Sequence, residues 1–158
     1  MLLRRDSDRS RGQALVEFGL ILPIFVLVLV GLFDLGRAVY VYNTINNAAR
    51  EAVRVAIVNQ NCTAIGNEAA QSAVSVGVDW DSALGCNAGA NDIKIRFLQP
   101  DFTATEPCVS TPRLGCIAEV TVQYEFNAAT PIVGNIIGTL NLEGTTREPI
   151  ERTFNAAP

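Results

Sequence analysis

The four cysteines are the side chains of this chain with the most evident chemistry. They are Cys62, Cys86, Cys108 and Cys116. An even number of cysteines suits an oxidising compartment, where cysteines form disulfides. Three pairings are open, and we favour the sequential one, Cys62–Cys86 with Cys108–Cys116, because it closes two short loops. The alternatives are four free thiols in a cytosolic domain and a scattered four-thiolate zinc site.

Most enzyme chemistry is missing from the sequence. The 158 residues include no histidine, which excludes catalytic triads, histidine metal ligands and the commonest general base. No phosphate-binding glycine pattern and no C-x-x-C motif occurs. Asp79, Asp81 and Asp92 could form a weak calcium site, but a solvated polar loop is the better interpretation. The net charge of −4 does not indicate a protein that binds nucleic acid. We therefore predict a protein that is not an enzyme and that uses no metal or cofactor.

Glu17 is a carboxylate in an unusual setting, because the next sixteen residues, Phe18 to Phe33, carry no charge. An ionised side chain at the centre of a bilayer costs about 2.5–3.5 kcal/mol on insertion scales. Glu17 is therefore interpreted in one of two ways. Either it has a partner or a functional role, or it stays hydrated beside Arg11 at the membrane surface.

The element that carries Glu17 is an apolar stretch with the length of a membrane span. A hydrocarbon core of about 30 Å requires about 20 apolar residues in a helix, and Gln13 to Phe33 meets this requirement. Four arginines among the first eleven residues predict that the N-terminus stays in the cytoplasm. A cleaved secretory signal is the rival interpretation. The apolar run is long for such a signal, and no A-x-A cleavage site follows it.

The helical pattern continues beyond the apolar run. Apolar residues recur at three- and four-residue steps from Leu35 to Ala56, which predicts one helix from about Arg11 to Val58. Its first part is apolar all round and its second part is amphipathic, as in a stalk that packs under a head. The predicted organisation is a basic cytoplasmic tail (1–12), a transmembrane helix (13–35), a stalk (36–61) and an extracytoplasmic head (62–158).

The head is predicted to be a small α+β domain. Alanine-rich helical spacing predicts a helix at Glu68–Val76, and alternating or β-rich segments predict strands at 92–97, 117–126 and 140–153. In the second strand Ala118, Val120, Val122, Tyr124 and Phe126 should face inward, and Glu119, Thr121, Gln123 and Glu125 should face solvent. Pro149 suits an edge strand. The expected fold class is α+β, with the long helix packed on a small antiparallel sheet.

Several short matches lie along the helix. Gly12 to Phe18 follows the pattern G-x-x-x-x-E-F at the cytoplasmic edge of an apolar helix, and this resembles the processing site of type IV pilin precursors. Further along, the stretch from Arg11 to Ala56 resembles the TadE-like (TadE/TadG) family, minor pilin-like proteins of tight-adherence pilus and secretion systems. The matching residues are Arg11-Gly12, Val16-Glu17-Phe18, Leu22-Pro23, Gly31, Asp34-Leu35-Gly36-Arg37 and Asn47-Ala48-Ala49-Arg50-Glu51-Ala52.

The resemblance implies a type IV pilin-like architecture and cleavage by a prepilin peptidase after Gly12. The mature chain would then begin at Gln13, and Glu17 would pair with the N-terminal amine of a neighbouring subunit. For assembly with other helices we single out Phe18, Pro23 and Gly31 beside Glu17.

We therefore expect a structural pilin-like (pseudopilin) subunit in the cytoplasmic membrane, or in an extracellular filament. Its partners would be membrane lipid, like or related pilin-type subunits and the peptidase, with no nucleic acid. The alternative is a single-span accessory subunit of another integral membrane complex.

Overall fold

The computed structural model describes residues 6–84, 86, 92–104, 108, 111–130, 134–135 and 138–153, with the side chains of residues 6–11 and 84 left out. The chain divides into two compact units. One unit combines residues 1–37 with 128–138, and the other combines residues 38–127 with 139–158.

A single helix, α1, runs from Asp6 to Ala56 without interruption and contains Pro23. The prediction of one long helix is confirmed, although α1 begins before the expected Arg11 and ends two residues before Val58. Its end coincides with a polar cluster: the amide of Asn59 still donates to the Val55 carbonyl, and the Asn59 side chain accepts from the amide of Asn61.

The second half of α1 supplies much of the core of the larger unit. Its buried side chains recur at helical spacing, and several are alanines that allow neighbouring backbone to approach closely. At Gly144 an added Cβ would lie only 3.0 Å from the backbone of Ile45 and Asn46. The helix therefore packs directly on the strand that carries this glycine. The buried residues of this half are Val41, Ile45, Ala48, Ala49, Ala52, Val53 and Ala56.

The second helix, α2, spans Cys62–Ser72 and so begins six residues before the predicted Glu68. The cause is Asn61, whose side chain accepts hydrogen bonds from the amides of Thr63 and Ala64 at 2.9 and 3.3 Å. This is the N-cap geometry that starts a helix. A short 3₁₀ turn follows at Val74–Val76 and ends at Gly77, whose φ of 80° favours glycine.

Three strands form one antiparallel sheet in the order β1-β2-β3, which confirms the predicted sheet. They are β1 (Ile93–Leu98), β2 (Ile117–Asn127) and β3 (Thr139–Pro149). In the register, Val120 lies opposite Ile95 on one side and Thr146 on the other. β3 is an edge strand, as predicted, but it ends at Pro149 instead of continuing to Thr153.

The outward face of β2 is more covered than predicted. Glu119 and Thr121 were expected to face solvent, but they are only 5% and 7% exposed. Arg96 and Arg147, the cross-strand neighbours of Glu119, both form ion pairs with its carboxylate, and the Thr121 hydroxyl bonds to that of Thr145 at 3.0 Å. Residues 118–122 of β2 are therefore all buried, and the predicted solvent exposure of Glu119 and Thr121 is wrong because neighbouring polar side chains cover them.

Two disulfides tie the larger unit together. Cys62 is joined to Cys86 and Cys108 to Cys116, with Cα–Cα distances of 5.3 and 5.8 Å. The first joins the start of α2 to the segment before β1, where the Cys86 carbonyl also accepts from the amide of Ile95. The second closes the segment that leads into β2. Each bond restricts the conformations of the unfolded chain. A disulfide of this kind typically stabilises the folded state by about 2–4 kcal/mol.

Candidate membrane-helix site

The first half of α1 is an uncovered apolar helix. Every side chain from residue 12 to residue 29 is exposed, including large apolar ones. By length and composition, α1 is the one described helix that could cross a membrane. Because these side chains have no cover of their own, they need lipid or other helices around them.

The predicted processing residues lie within this helix. Gly12 and Gln13 are both helical and exposed, and an added Cβ at Gly12 would meet no atom within 4 Å. Because a peptide bond inside a helix must unwind before a peptidase can cut it, cleavage here would need local opening near the N-terminal end of α1.

Glu17 projects from the exposed surface of α1, one residue before Phe18, whose side chain is 61% exposed. Among the side chains that the structure describes, Glu17 has no ion-pair partner. The side chain of Arg11, the other candidate partner from the sequence, lies outside the described side chains. A partner from outside this chain is therefore compatible with the geometry.

The residues singled out for assembly do not share one face of the helix. At about 100° per residue, Phe18, Pro23 and Gly31 are spread around the helix axis. Glu17 and Gly31, two heptads apart, fall within about 40° of each other. An added Cβ at Gly31 would meet no atom within 4 Å. Small residues let helices approach closely in membranes, so the side with Glu17 and Gly31 has a feature that is compatible with helix packing.

Asp34 is a site residue to which the sequence reading gave no role. Its side chain is 4% exposed, and its carboxylate accepts the amides of Ala129 and Thr130 at 3.1 and 3.3 Å, together with the Thr130 hydroxyl. These three hydrogen bonds satisfy the carboxylate within its own unit. The signals in the sequence were a lone aspartate directly after the apolar run and a Thr-Pro pair, but nothing in the sequence joined them.

The loop acids considered for calcium serve the backbone instead. The carboxylate of Asp92 accepts the amide of Asp79, and that of Asp81 accepts the amide of Ala83. Within the described ranges, no group of three acidic, cysteine or histidine side chains is arranged to hold a metal ion.

The uncovered first half of α1 fits a membrane-anchored protein, and α1 is the one candidate span among the described residues. More particularly, residues 12–54 match the model of the family described as TadE-like protein. This finding confirms the resemblance drawn from the sequence, and the matched residues all lie in α1. No curated protein and no solved structure matches the chain.

Proposed function

We propose that this protein is a structural, pilin-like subunit of a tight-adherence pilus or secretion apparatus, assembled through the first half of α1. One observation carries the proposal: an apolar helix without cover of its own presents Glu17, a carboxylate with no ion-pair partner among the described side chains. The family match on the same segment supports it, because the similarity is concentrated where assembly would occur.

The proposed location is the cytoplasmic membrane, with the N-terminus inside and the head outside. The N-terminal arginines favour this orientation, because short arginine-rich flanks stay in the cytoplasm. The disulfides favour it too, since both bonds lie in the part that would face an oxidising compartment.

We also propose that a prepilin peptidase cuts after Gly12. The new amine of Gln13 would pair with Glu17 of a neighbouring subunit, which offsets part of the cost of burying each charge. Mass spectrometry of protein recovered from membranes tests the cut. We expect the wild type to begin at Gln13 and the variant Gly12→Val to keep its leader, with Ser10→Val as a processed control. A wild-type N-terminus at Met1 would contradict cleavage.

Photo-crosslinking tests the assembly itself. A photoreactive phenylalanine analogue placed at Phe18 should yield adducts in native membranes, whereas the same analogue at Phe102, which is also exposed, serves as the control in the head. Adducts with the mass of two chains, or with a related pilin-type subunit, support the proposal. Adducts with an unrelated integral membrane protein would favour the accessory-subunit alternative, and the absence of any adduct at Phe18 would contradict both.

A further inference from the structure

A continuous apolar stripe runs along one side of α1 and stays uncovered beyond the apolar run. Starting from Phe18 and Ile21, a large apolar residue recurs at every seventh position as far as Val39 and Tyr42. All eight side chains of this stripe, which we call the seam, are 49–64% exposed. Alternating steps of three and four residues, kept over three heptads, are typical of a helix that packs in a coiled coil.

We propose that the seam packs against the same seam of a second copy, so that two α1 helices form a parallel coiled coil that continues past the membrane. The inference rests on the membrane anchoring and deepens the proposed assembly, because it names the partner and the face of the helix. Two copies that insert with the same orientation have parallel helices, as this arrangement requires.

Lipid does not cover the far end of the seam. The residues from Gln13 to Phe33 extend about 30 Å as a helix, which equals the hydrocarbon thickness of a bilayer. Val39 and Tyr42 lie about 9 and 13 Å further along α1, yet their side chains are 52% and 49% exposed. Apolar side chains outside the hydrocarbon are stabilised when another apolar surface removes them from water. This end of the seam therefore favours a second helix over lipid.

The head leaves the side with Val39 and Tyr42 open. Val41 and Ile45, which are buried in the head, point about 110° away from it around the helix axis. The next two positions of the repeat do not continue the seam. Asn46 is polar and bonds to the carbonyl of Tyr42, and Ala49 is fully buried. The contact therefore ends at Tyr42.

The residues beside the seam allow two identical helices to approach. Between the first and last residues of the seam, Asp34 and Arg37 are the only charged side chains, and neither lies on the seam or next to it. Like charges of two copies therefore do not face each other across the contact. Gly31 and Gly36 do flank the seam, and an added Cβ at either would meet no atom within 4 Å. Small residues at such positions let helices pack closely.

The area of the seam is sufficient for a specific contact. Eight half-exposed apolar side chains offer roughly 100 Å² each, so each copy would bury roughly 800 Å². This area equals what one partner contributes to a protein interface of standard size. The seam therefore suits a second copy without a contribution from the head.

Disulfide crosslinking of the purified full chain in dilute vesicles tests the contact. The native cysteines are joined in two disulfides, so one added cysteine reports on its own surroundings. We compare Val39→Cys with Asn47→Cys, which is exposed in the same half of α1 but lies off the seam. Under mild oxidation, Val39→Cys should yield at least fivefold more covalent dimer. Tyr42→Cys should behave like Val39→Cys, because pairing in register brings both positions together.

A charge in the seam should separate the helices. In the Tyr42→Cys background, Val39→Lys should lower the yield of dimer at least threefold, because two like charges would face each other. Asn47→Lys, the matched change off the seam, should leave the yield unchanged. Both positions are exposed, so near-ultraviolet circular dichroism should show an intact head in each variant.

Three results would overturn the inference. They are equal crosslinking of Val39→Cys and Asn47→Cys, a dimer that Val39→Lys does not weaken, and a Val39→Cys product in native membranes that contains another protein in place of a second copy. Because the vesicles contain one purified chain, a failure there leaves assembly with other subunits standing. An adduct of Phe18 with an unrelated membrane complex would contradict the pilus role without contradicting the dimer.

Discussion

The two halves of α1 obtain their surroundings in opposite ways. From residue 12 to residue 29 every side chain is exposed, whereas residues 38–56 bury a regular stripe that includes Ile45 and Val53. The first half is apolar around its whole circumference and so needs lipid or other helices around it. Beyond Tyr42 the second half confines its apolar residues to one side and completes its packing within the chain. The distribution of apolar residues, more than their number, separates the two environments.

Three carboxylates of the chain differ in the same respect. Glu119 lies between two arginines of its own sheet, and Asp34 accepts three hydrogen bonds from its own unit. Glu17, by comparison, has no ion-pair partner among the described side chains. Buried carboxylates are stable when they are paired, so in the proposed assembly a neighbouring molecule would have to supply the partner of Glu17.

The largest expected effect sharpens the contrast between the halves. Ile45→Ala removes a fully buried side chain and should lower the free energy of unfolding of the head by about 2–5 kcal/mol. Leu29→Ala, at an exposed position in the first half, should leave that free energy unchanged. Denaturant titration in detergent, followed by Trp80 fluorescence, measures both. Equal losses in the two variants would break the distinction.

A new charge should have a large effect in the first half of α1 and none in the second, which is the reverse of what we expect for the alanine variants. Ile24→Arg places a cation near the middle of the apolar run and should disfavour membrane insertion by about 2.5–3.5 kcal/mol. Asn47→Arg, in the exposed face of the second half, should not affect insertion. The fraction of protein that remains in alkali-washed membranes reports the difference. Full retention of a stably expressed Ile24→Arg variant would show that the first half of α1 does not lie in lipid.

Glycines in the two units should respond differently to a methyl group. Gly144→Ala crowds the backbone of Ile45 and should destabilise the head by about 1–3 kcal/mol. Gly36→Ala meets no atom within 4 Å and should leave head unfolding unchanged. Thermal unfolding followed by near-ultraviolet circular dichroism distinguishes them. An unchanged midpoint for Gly144→Ala would mean that α1 and β3 separate easily.

The smallest expected effect concerns a charge that the head satisfies locally. The Thr103 hydroxyl donates a hydrogen bond to the Asp101 carboxylate, and the Thr103 amide donates a second one. These hydrogen bonds hold the pKa of that carboxyl below its usual value. A lowered pKa favours folding above the pKa of the unfolded chain, and this contribution disappears as the pH falls through the folded pKa. Thr103→Val should raise the pKa of Asp101 in an NMR titration. Thr139→Val, the same change at an exposed position of β3, should leave that pKa where it is.

The repeating patterns of the sequence predicted the main elements correctly. A long apolar run followed by a helical period from Leu35 to Ala56 indicated α1, and alternation indicated β1 and β2, because in each case many residues support the same conclusion. The start of α2 was missed because it depends on one side chain, that of Asn61, and a single capping residue leaves no repeating pattern.

Contacts between distant residues were beyond the sequence alone. Asp34 and Thr130 are 96 positions apart, and no local pattern connects them. Glu119 was assigned to solvent because alternation gives the direction of a side chain but not what covers it. Its cover comes from Arg147 on a neighbouring strand, so it depends on the register of the sheet.

The close approach at Gly144 also determines how the sheet can assemble during folding. β2 and β3 pair over eleven residues, and a slip of one position would turn every side chain of β3 to the opposite face. Such a slip would bring Glu143 or Thr145 against the Ile45 carbonyl, where even a single methyl group is crowded. Only the native alignment places a residue without a side chain beside the Ile45 backbone. The glycine therefore disfavours shifted pairings of β2 and β3 by steric exclusion when the helix packs on the sheet.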